Sequence, residues 1–221
     1  MLKTVDSIFF DFDGVITDSV NVKTVAFAKM YEPYGKEVVK SVVTHHLSNG
    51  GISRFQKFKI YHKEYLGIDL SNKQIQDLAG KFRNLVVQKV IDAPFVNGAL
   101  EFLKKYYLDF PLFIISATPD VEINEIIDKK GLSKYFKKVY GSPTNKNEWA
   151  RYILVNNNFD RTKVFFVGDA LSDYNAAIDC GLHFVARIEK SANNPFKGIK
   201  LNYQINDLFD LEKQILKNAN N

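Results

Sequence analysis

Cysteine is nearly absent from this chain of 221 residues; Cys180 is the single one. No internal disulfide can form, which suits a reducing compartment. Cys180 stands among small residues in Ala176-Ala177-Ile178-Asp179-Cys180-Gly181, so a packed thiol is expected there rather than a nucleophile. No apolar run reaches the roughly 18 residues that span a bilayer, and no membrane segment is expected. There is no internal repeat, low-complexity tract or flexible linker. A secretory leader is also not expected. Lys3 leads directly into a strand pattern that carries Asp6, and the expected location is the cytoplasm. Finally, charge is not concentrated in one place. The net charge is +5, but the positive residues are mostly scattered lysines and the aromatics occupy apolar positions, unlike a nucleic-acid module. Solvated lysine faces account for the excess, and a mild positive field helps to collect small anions.

A hydrophobic content of 46% is ordinary for a globular core, and the length suits one large domain or a medium domain with an insertion. The most informative stretch lies near the start. The apolar run Ile8-Phe9-Phe10 stops at two carboxylates, Asp11 and Asp13, followed by Gly14. Glycine permits a turn there, so both acids can converge on one small volume. Such a pair shares a proton, binds a cation, or divides the work of nucleophile and acid/base. An acidic turn after a strand is the plain alternative.

The order of elements sets the context. A strand is expected over 5–10, followed by about eighty residues of helical periodicity. Val22, Val25, Ala26 and Met30 form one stripe, and Phe55, Phe58, His62, Tyr65 and Leu66 another. A third helix opens with Ser71 and Gln74 in capping-box positions and carries Ile75, Leu78, Ala79, Phe82, Leu85 and Val86 on one face. From Pro94 onward strands and helices alternate. Strands are expected at 112–115, 138–140, 164–167, 183–186 and 203–205, and helices near Phe102, at 120–130, 146–156, 172–179 and 208–216. That alternation predicts a parallel sheet covered on both faces. The fold class is therefore α/β, a doubly wound, Rossmann-like core with an inserted all-helical cap. Residues 1–18 and 93–221 make the core, 19–92 the cap, with hinges near Asp18–Ser19 and at 92–95.

In such a sheet ligands bind beyond the carboxyl ends of the strands. Those ends carry Asp11 and Asp13, then Ser116-Ala117-Thr118, then a loop leading to Lys146, then Gly168-Asp169 with Asp173 four residues on. Several acids, a hydroxyl and a lysine suit phosphoryl transfer. Clustered aspartates hold Mg²⁺, cation and lysine neutralise the phosphate, one carboxylate attacks phosphorus, and a second handles protons.

Asp-Phe-Asp-Gly-Val-Ile-Thr-Asp (11–18), Ser116, Lys146 and Gly168-Asp169-x-x-x-Asp173 resemble, in order, the four motifs of the haloacid dehalogenase-like hydrolase superfamily. The chain is similar to its phosphoglycolate phosphatase and β-phosphoglucomutase-like branch, whose helical cap follows the first motif. The resemblance implies Asp11 as nucleophile and Mg²⁺ ligand, and Asp13 as general acid/base with its backbone carbonyl on the metal. It implies Ser116 and Lys146 as holders of the phosphoryl group and Asp169 as a metal ligand. Asp173 would stand behind the ligands or serve as an alternative one. Gly14 and Ala117 are expected beside the substrate phosphate.

Asp13 argues for phosphoester chemistry, because halide release needs no acid to protonate an alkoxide. In the cap, the loop Leu47-Ser48-Asn49-Gly50-Gly51-Ile52-Ser53-Arg54 resembles a substrate loop, with Arg54 able to fork onto a carboxylate or phosphate. Lys23 stands where the mutase-like members have a histidine, and it is taken as a second substrate contact. His45 and His46 either line the cleft or are partly buried in the cap. The expected activity is a Mg²⁺-dependent phosphatase acting on a small phosphorylated metabolite, a sugar phosphate or phosphoglycolate-like acid, through an aspartyl-phosphate. A sugar phosphomutase is the alternative enzyme; a phospho-accepting signalling domain or a non-catalytic sugar-phosphate binder is the alternative of another class. A monomer or weak homodimer is expected.

Overall fold

The centre of the sheet is the apolar run found first. In the computed structural model, which describes residues 5–189 and 194–216, strand β1 (Ser7–Phe10) is wholly buried. Lys3 lies outside the described residues. β1 pairs in parallel with β2 (Leu112–Pro119) on one side and β4 (Val164–Gly168) on the other. β3 (Lys138–Ser142), β5 (His183–Arg187) and β6 (Tyr203–Ile205) complete a six-stranded sheet of order β3-β2-β1-β4-β5-β6. All pairings are parallel. The order reverses at β1, so a crevice opens where the chain leaves on opposite sides.

Strand alternation divides the core in two. Ile8 and Phe10 pack on one face with helices α5 (Ala99–Tyr106), α6 (Asp120–Lys129) and α9 (Leu208–Leu216). Phe9 faces the other way, toward α7 (Lys146–Asn157) and α8 (Leu171–Cys180). Cys180 is buried in that second layer, as its small neighbours imply. No helix among the described residues is long and apolar enough to cross a membrane.

Between β1 and β2 lies the helical insert: α1 (Val20–Tyr31), α2 (Lys36–Ser48), α3 (Arg54–Ile60) and α4 (Asn72–Asp92). The capping box of α4 forms as its sequence implies. Ser71 Oγ accepts from Gln74 N and Gln74 Oε1 accepts from Ser71 N, at 3.3 and 2.9 Å. Two chain passages tie the insert to the core, and they bond to each other through Asp18 N to Pro94 O and Val96 N to Ile16 O, at 2.9 and 3.0 Å.

Three details depart from the sequence reading. α2 has no counterpart among the expected stripes, because its face is half polar and only Val42 and His46 are buried on it. On α1 the buried face is Ala26, Phe27 and Tyr31 while Val25 is 50% exposed; the two aromatics bury more area and set the rotation of the helix. And β2 does not stop at Ile115. It continues through Ser116, Ala117 and Thr118 to Pro119 with an irregular register. The apolar pattern ends earlier because the two buried side chains there, Ser116 and Thr118, are polar.

Candidate active site

Asp11 leaves the end of β1 with its backbone N–H still bonded to Val167 O at 2.9 Å. Its side chain is buried. Oδ1 accepts from Phe12 N at 2.8 Å and lies 3.0 Å from Lys146 Nζ. Both contacts fall on the same oxygen, so Oδ2 takes no hydrogen bond among the described residues. One oxygen is held and the other is available.

Lys146 opens α7, whose N-cap Asn145 accepts from Glu148 N at 2.9 Å. The lysine is 5% exposed and also donates to Asp173 Oδ1 at 2.6 Å. Burial opposes its charge, but Asp11 and Asp173 outweigh that and hold the ammonium protonated, above the usual lysine range. Asp173 is fully buried, and its Oδ2 accepts from Ala170 N at 3.1 Å at the start of α8. The side chain thus closes its own helix and orients Lys146. A Cβ at Gly168 would meet Asp173 Cβ at 2.2 Å, so this approach requires the glycine that precedes Asp169.

Asp11, Asp169 and Asp173 each place a carboxylate oxygen within 4.8 Å of the others. Burial, eased by Lys146 but reinforced by Asp173 and Asp13, pushes the Asp11 pKa up to about 7. Asp169 is pushed well above the carboxylate range by burial, then by Asp11 and Asp173. One lysine does not offset this much negative charge. A hard divalent cation does, and oxygen ligands of this kind fit Mg²⁺. Gly14, at φ +77°, passes so close to Asp169 that a Cβ there would lie 2.0 Å from Oδ2.

Asp13 is gripped by three donors. Ser19 Oγ reaches Oδ1 at 2.6 Å, Thr118 Oγ1 reaches Oδ2 at 3.2 Å, and Lys23 Nζ donates to Oδ2 as well. Burial would raise its pKa, but Lys23, Ser19 and Thr118 prevail and hold the carboxyl below its usual range. Ser116 is buried, and its Oγ accepts from Thr118 N at 3.1 Å.

A cavity of about 340 Å³ opens between these groups and the cap. Asp11, Asp13, Asp169 and Ala117 line its core side; Lys23, Arg54 and Lys57 are among the residues on the cap side. Arg54 does not point at an open cleft. Its guanidinium engages Glu122 of α6 at 3.0 and 2.9 Å and lies 4.7 Å from the centre of the Phe82 ring. The fork onto a carboxylate is present, and that carboxylate belongs to the core of the same chain. His46 is buried and lines the cavity, while His45, half-buried, meets the Tyr61 hydroxyl at 3.3 Å.

Sequence reasoning missed Thr118, Ser19 and Lys57. Thr118 was legible as the residue two beyond Ser116 on a strand that continues, hence on the same face. Lys57 stood on the stripe of Arg54, Phe58 and Tyr61, a lysine among buried positions.

The family model for haloacid dehalogenase-like hydrolases matches residues 8–187, and the chain belongs to that family. By family and by its second aspartate it is a phosphatase-type hydrolase. Among curated proteins it is 24% identical over 188 residues to a phosphoglycolate phosphatase of Pseudomonas savastanoi pv. phaseolicola, covering 81% of this chain and 68% of that protein. It is 26% identical over 202 residues to a phosphorylated carbohydrates phosphatase of Thermotoga maritima, covering 86% and 88%. The fold is shared with a β-phosphoglucomutase of Clostridium difficile, at TM-score 0.78 and 17% identity over 98% of this chain and 97% of that one. It is shared also with a Bacillus subtilis hydrolase of the same type solved with magnesium bound, at TM-score 0.69 and 19% identity over 96% and 99%.

Proposed function

We propose that this chain is a Mg²⁺-dependent phosphatase that hydrolyses a small phosphorylated metabolite, a sugar phosphate or phosphoglycolate-like acid, through an aspartyl-phosphate. The observation that carries this reading is the division of labour between the two acids. Asp11 keeps Oδ1 on Lys146 and leaves Oδ2 unengaged. Asp13, two residues on, is held among three donors at the same cavity.

Asp11 Oδ2 attacks phosphorus while the ester P–O bond breaks. Asp13, ionised in the empty site, takes the proton of the monoanionic phosphate ester as it binds, passes it to the departing alkoxide, and later takes one from the water that hydrolyses the acyl phosphate. Lys146 balances charge on the transferred group, with Ser116 and the backbone around Gly14 and Ala117 beside it. Asp169 and Asp11, with the Asp13 carbonyl, would hold the metal, and Asp173 sets the position of Lys146. When bound, Mg²⁺ supplies neutralisation of the phosphate charge. Residues 19–92 act as a cap that excludes water and selects the alcohol part of the ester. The names of the two curated relatives support this substrate range.

The test is release of inorganic phosphate from p-nitrophenyl phosphate with and without Mg²⁺, and from a panel of phosphorylated metabolites. Turnover that requires Mg²⁺ and is abolished by Asp11→Asn is expected. No turnover of any phosphoester would end the phosphatase reading. Glucose 1-phosphate with a coupled readout for glucose 6-phosphate distinguishes transfer from hydrolysis.

A further inference from the structure

The cap wall of the cavity holds a cation that the phosphate chemistry leaves unused. Lys57, on α3, is 2% exposed and yet lines the cavity. Its Nζ lies 2.7 Å from His46 Nδ1 and 5.6 Å from the centre of the Phe27 ring. Among the described residues the other cations that line or border the cavity each have a carboxylate: Lys23 has Asp13, Arg54 has Glu122, Arg187 has Glu189, and Lys146 has Asp11 and Asp173. Among the described residues no carboxylate comes within ion-pair distance of Lys57. A buried ammonium without a counter-ion costs several kcal/mol even after relaxation. The Lys57 ammonium donates a hydrogen bond to His46 Nδ1, so the neutral imidazole carries its hydrogen at Nε2 and is itself a donor. The two side chains together present positive charge and donors, and no acceptor of negative charge.

We propose that Lys57 and His46 form a seat for a second anionic group of the substrate, a carboxylate or second phosphate carried on the part of the ester that departs from phosphorus. The inference rests on the phosphatase reading above and narrows its substrate class from phosphate monoesters in general to small ones that carry a second anionic group. A neutral polyol could bond to both donors but would leave the ammonium without a counter-charge. The seat lines the same cavity of about 340 Å³ as Asp11, Asp13 and Lys23; this favours a short carbon skeleton between the two anions. Burial, then Lys23, pushes the Lys57 pKa down to about 7, and an anion docked beside it would restore the charge.

The experiment uses matched esters. For a carboxylate, 2-phosphoglycolate is compared with 2-hydroxyethyl phosphate; for a second phosphate, propane-1,3-diol bisphosphate is compared with 3-hydroxypropyl phosphate. Wild type should prefer the anionic member of at least one pair by about tenfold or more in kcat/KM, and the pair that shows it identifies the anion. Lys57→Met and Lys57→Gln should lose most of that preference, chiefly through KM. Two variants are used so that a folding failure in one leaves the other. Equal rates for both members of both pairs in wild type would overturn the proposal, as would a preference that survives in either folded variant. Calorimetric titration of the same four compounds into Asp11→Asn protein with Mg²⁺ decides the matter even if no phosphoester is turned over. In that event the phosphatase reading fails while the anion seat is judged by binding alone.

Discussion

Lys23 of α1 donates to Asp13 Oδ2 and, at 2.8 Å, to Thr118 Oγ1, so a helix of the insert holds the acid proposed above to move protons. The ion pair keeps Asp13 ionised while the cavity awaits substrate and ties its position to that of α1. Removing the acid with Asp13→Asn should lower kcat by about 10²- to 10⁴-fold. Lys23→Met, which leaves the acid but frees it, should lower kcat by about 10²-fold through misplacement. Steady-state rates on the best phosphoester check both. A Lys23→Met enzyme with wild-type kcat would show that the pair is incidental.

Gly14→Ala should act on the metal and leave the rest of the fold intact. The residue needs a left-handed backbone, at φ +77°, and its missing Cβ makes room for Asp169 Oδ2. Displacing that carboxylate should weaken Mg²⁺ binding by about tenfold or more. The check is the Mg²⁺ concentration for half-maximal activity, with melting temperature measured alongside. An unchanged Mg²⁺ dependence would refute the role given to Gly14.

Arg54 and Glu122 join cap to core through a buried, two-pronged ion pair. Arg54→Ala strands the Glu122 carboxylate and should lower unfolding free energy by roughly 3–5 kcal/mol. Arg54→Met with Glu122→Leu should recover most of the loss, because no charge is then left unpaired. Urea unfolding measures this. The double variant also separates the two roles of the arginine: a KM that stays raised after stability returns marks Arg54 as a substrate contact, and a restored KM marks it as a clamp.

Lys57 predicts a pH dependence of stability. Its folded pKa of about 7 lies below the value of 10.5 for an unhindered lysine. Between those values the unfolded chain binds a proton that the folded chain has released, so stability rises with pH across that window. Below it both states are protonated and the burial penalty is felt in full. His46, with its pKa pushed down to about 2 by burial and then Lys57, does not titrate there. Lys57→Met should therefore exceed wild type in stability most clearly near pH 6, and the two should converge toward pH 10. Parallel urea-unfolding profiles from pH 6 to 10 would contradict this.

The chemistry at the sheet edge was legible in the chain because it follows from local pattern. An apolar strand ending in Asp11, Phe12, Asp13 and Gly14, a second ending at Gly168-Asp169, and alternating strands and helices between them determine which side chains emerge at one edge. The capping box at Ser71 is equally local and formed where expected. Partner choice is not local. That Arg54 would meet Glu122, 68 residues away, that Lys23 would grip Asp13 and Thr118, and that Lys57 would be buried against His46 depended on how the cap rotates over the core. Helical periodicity says which face of α1 or α3 is apolar, yet not how a polar residue at its margin is answered from another element. Only the packed structure decided which cations are already satisfied by the protein and that, among the described residues, Lys57 lines the cavity without a carboxylate partner.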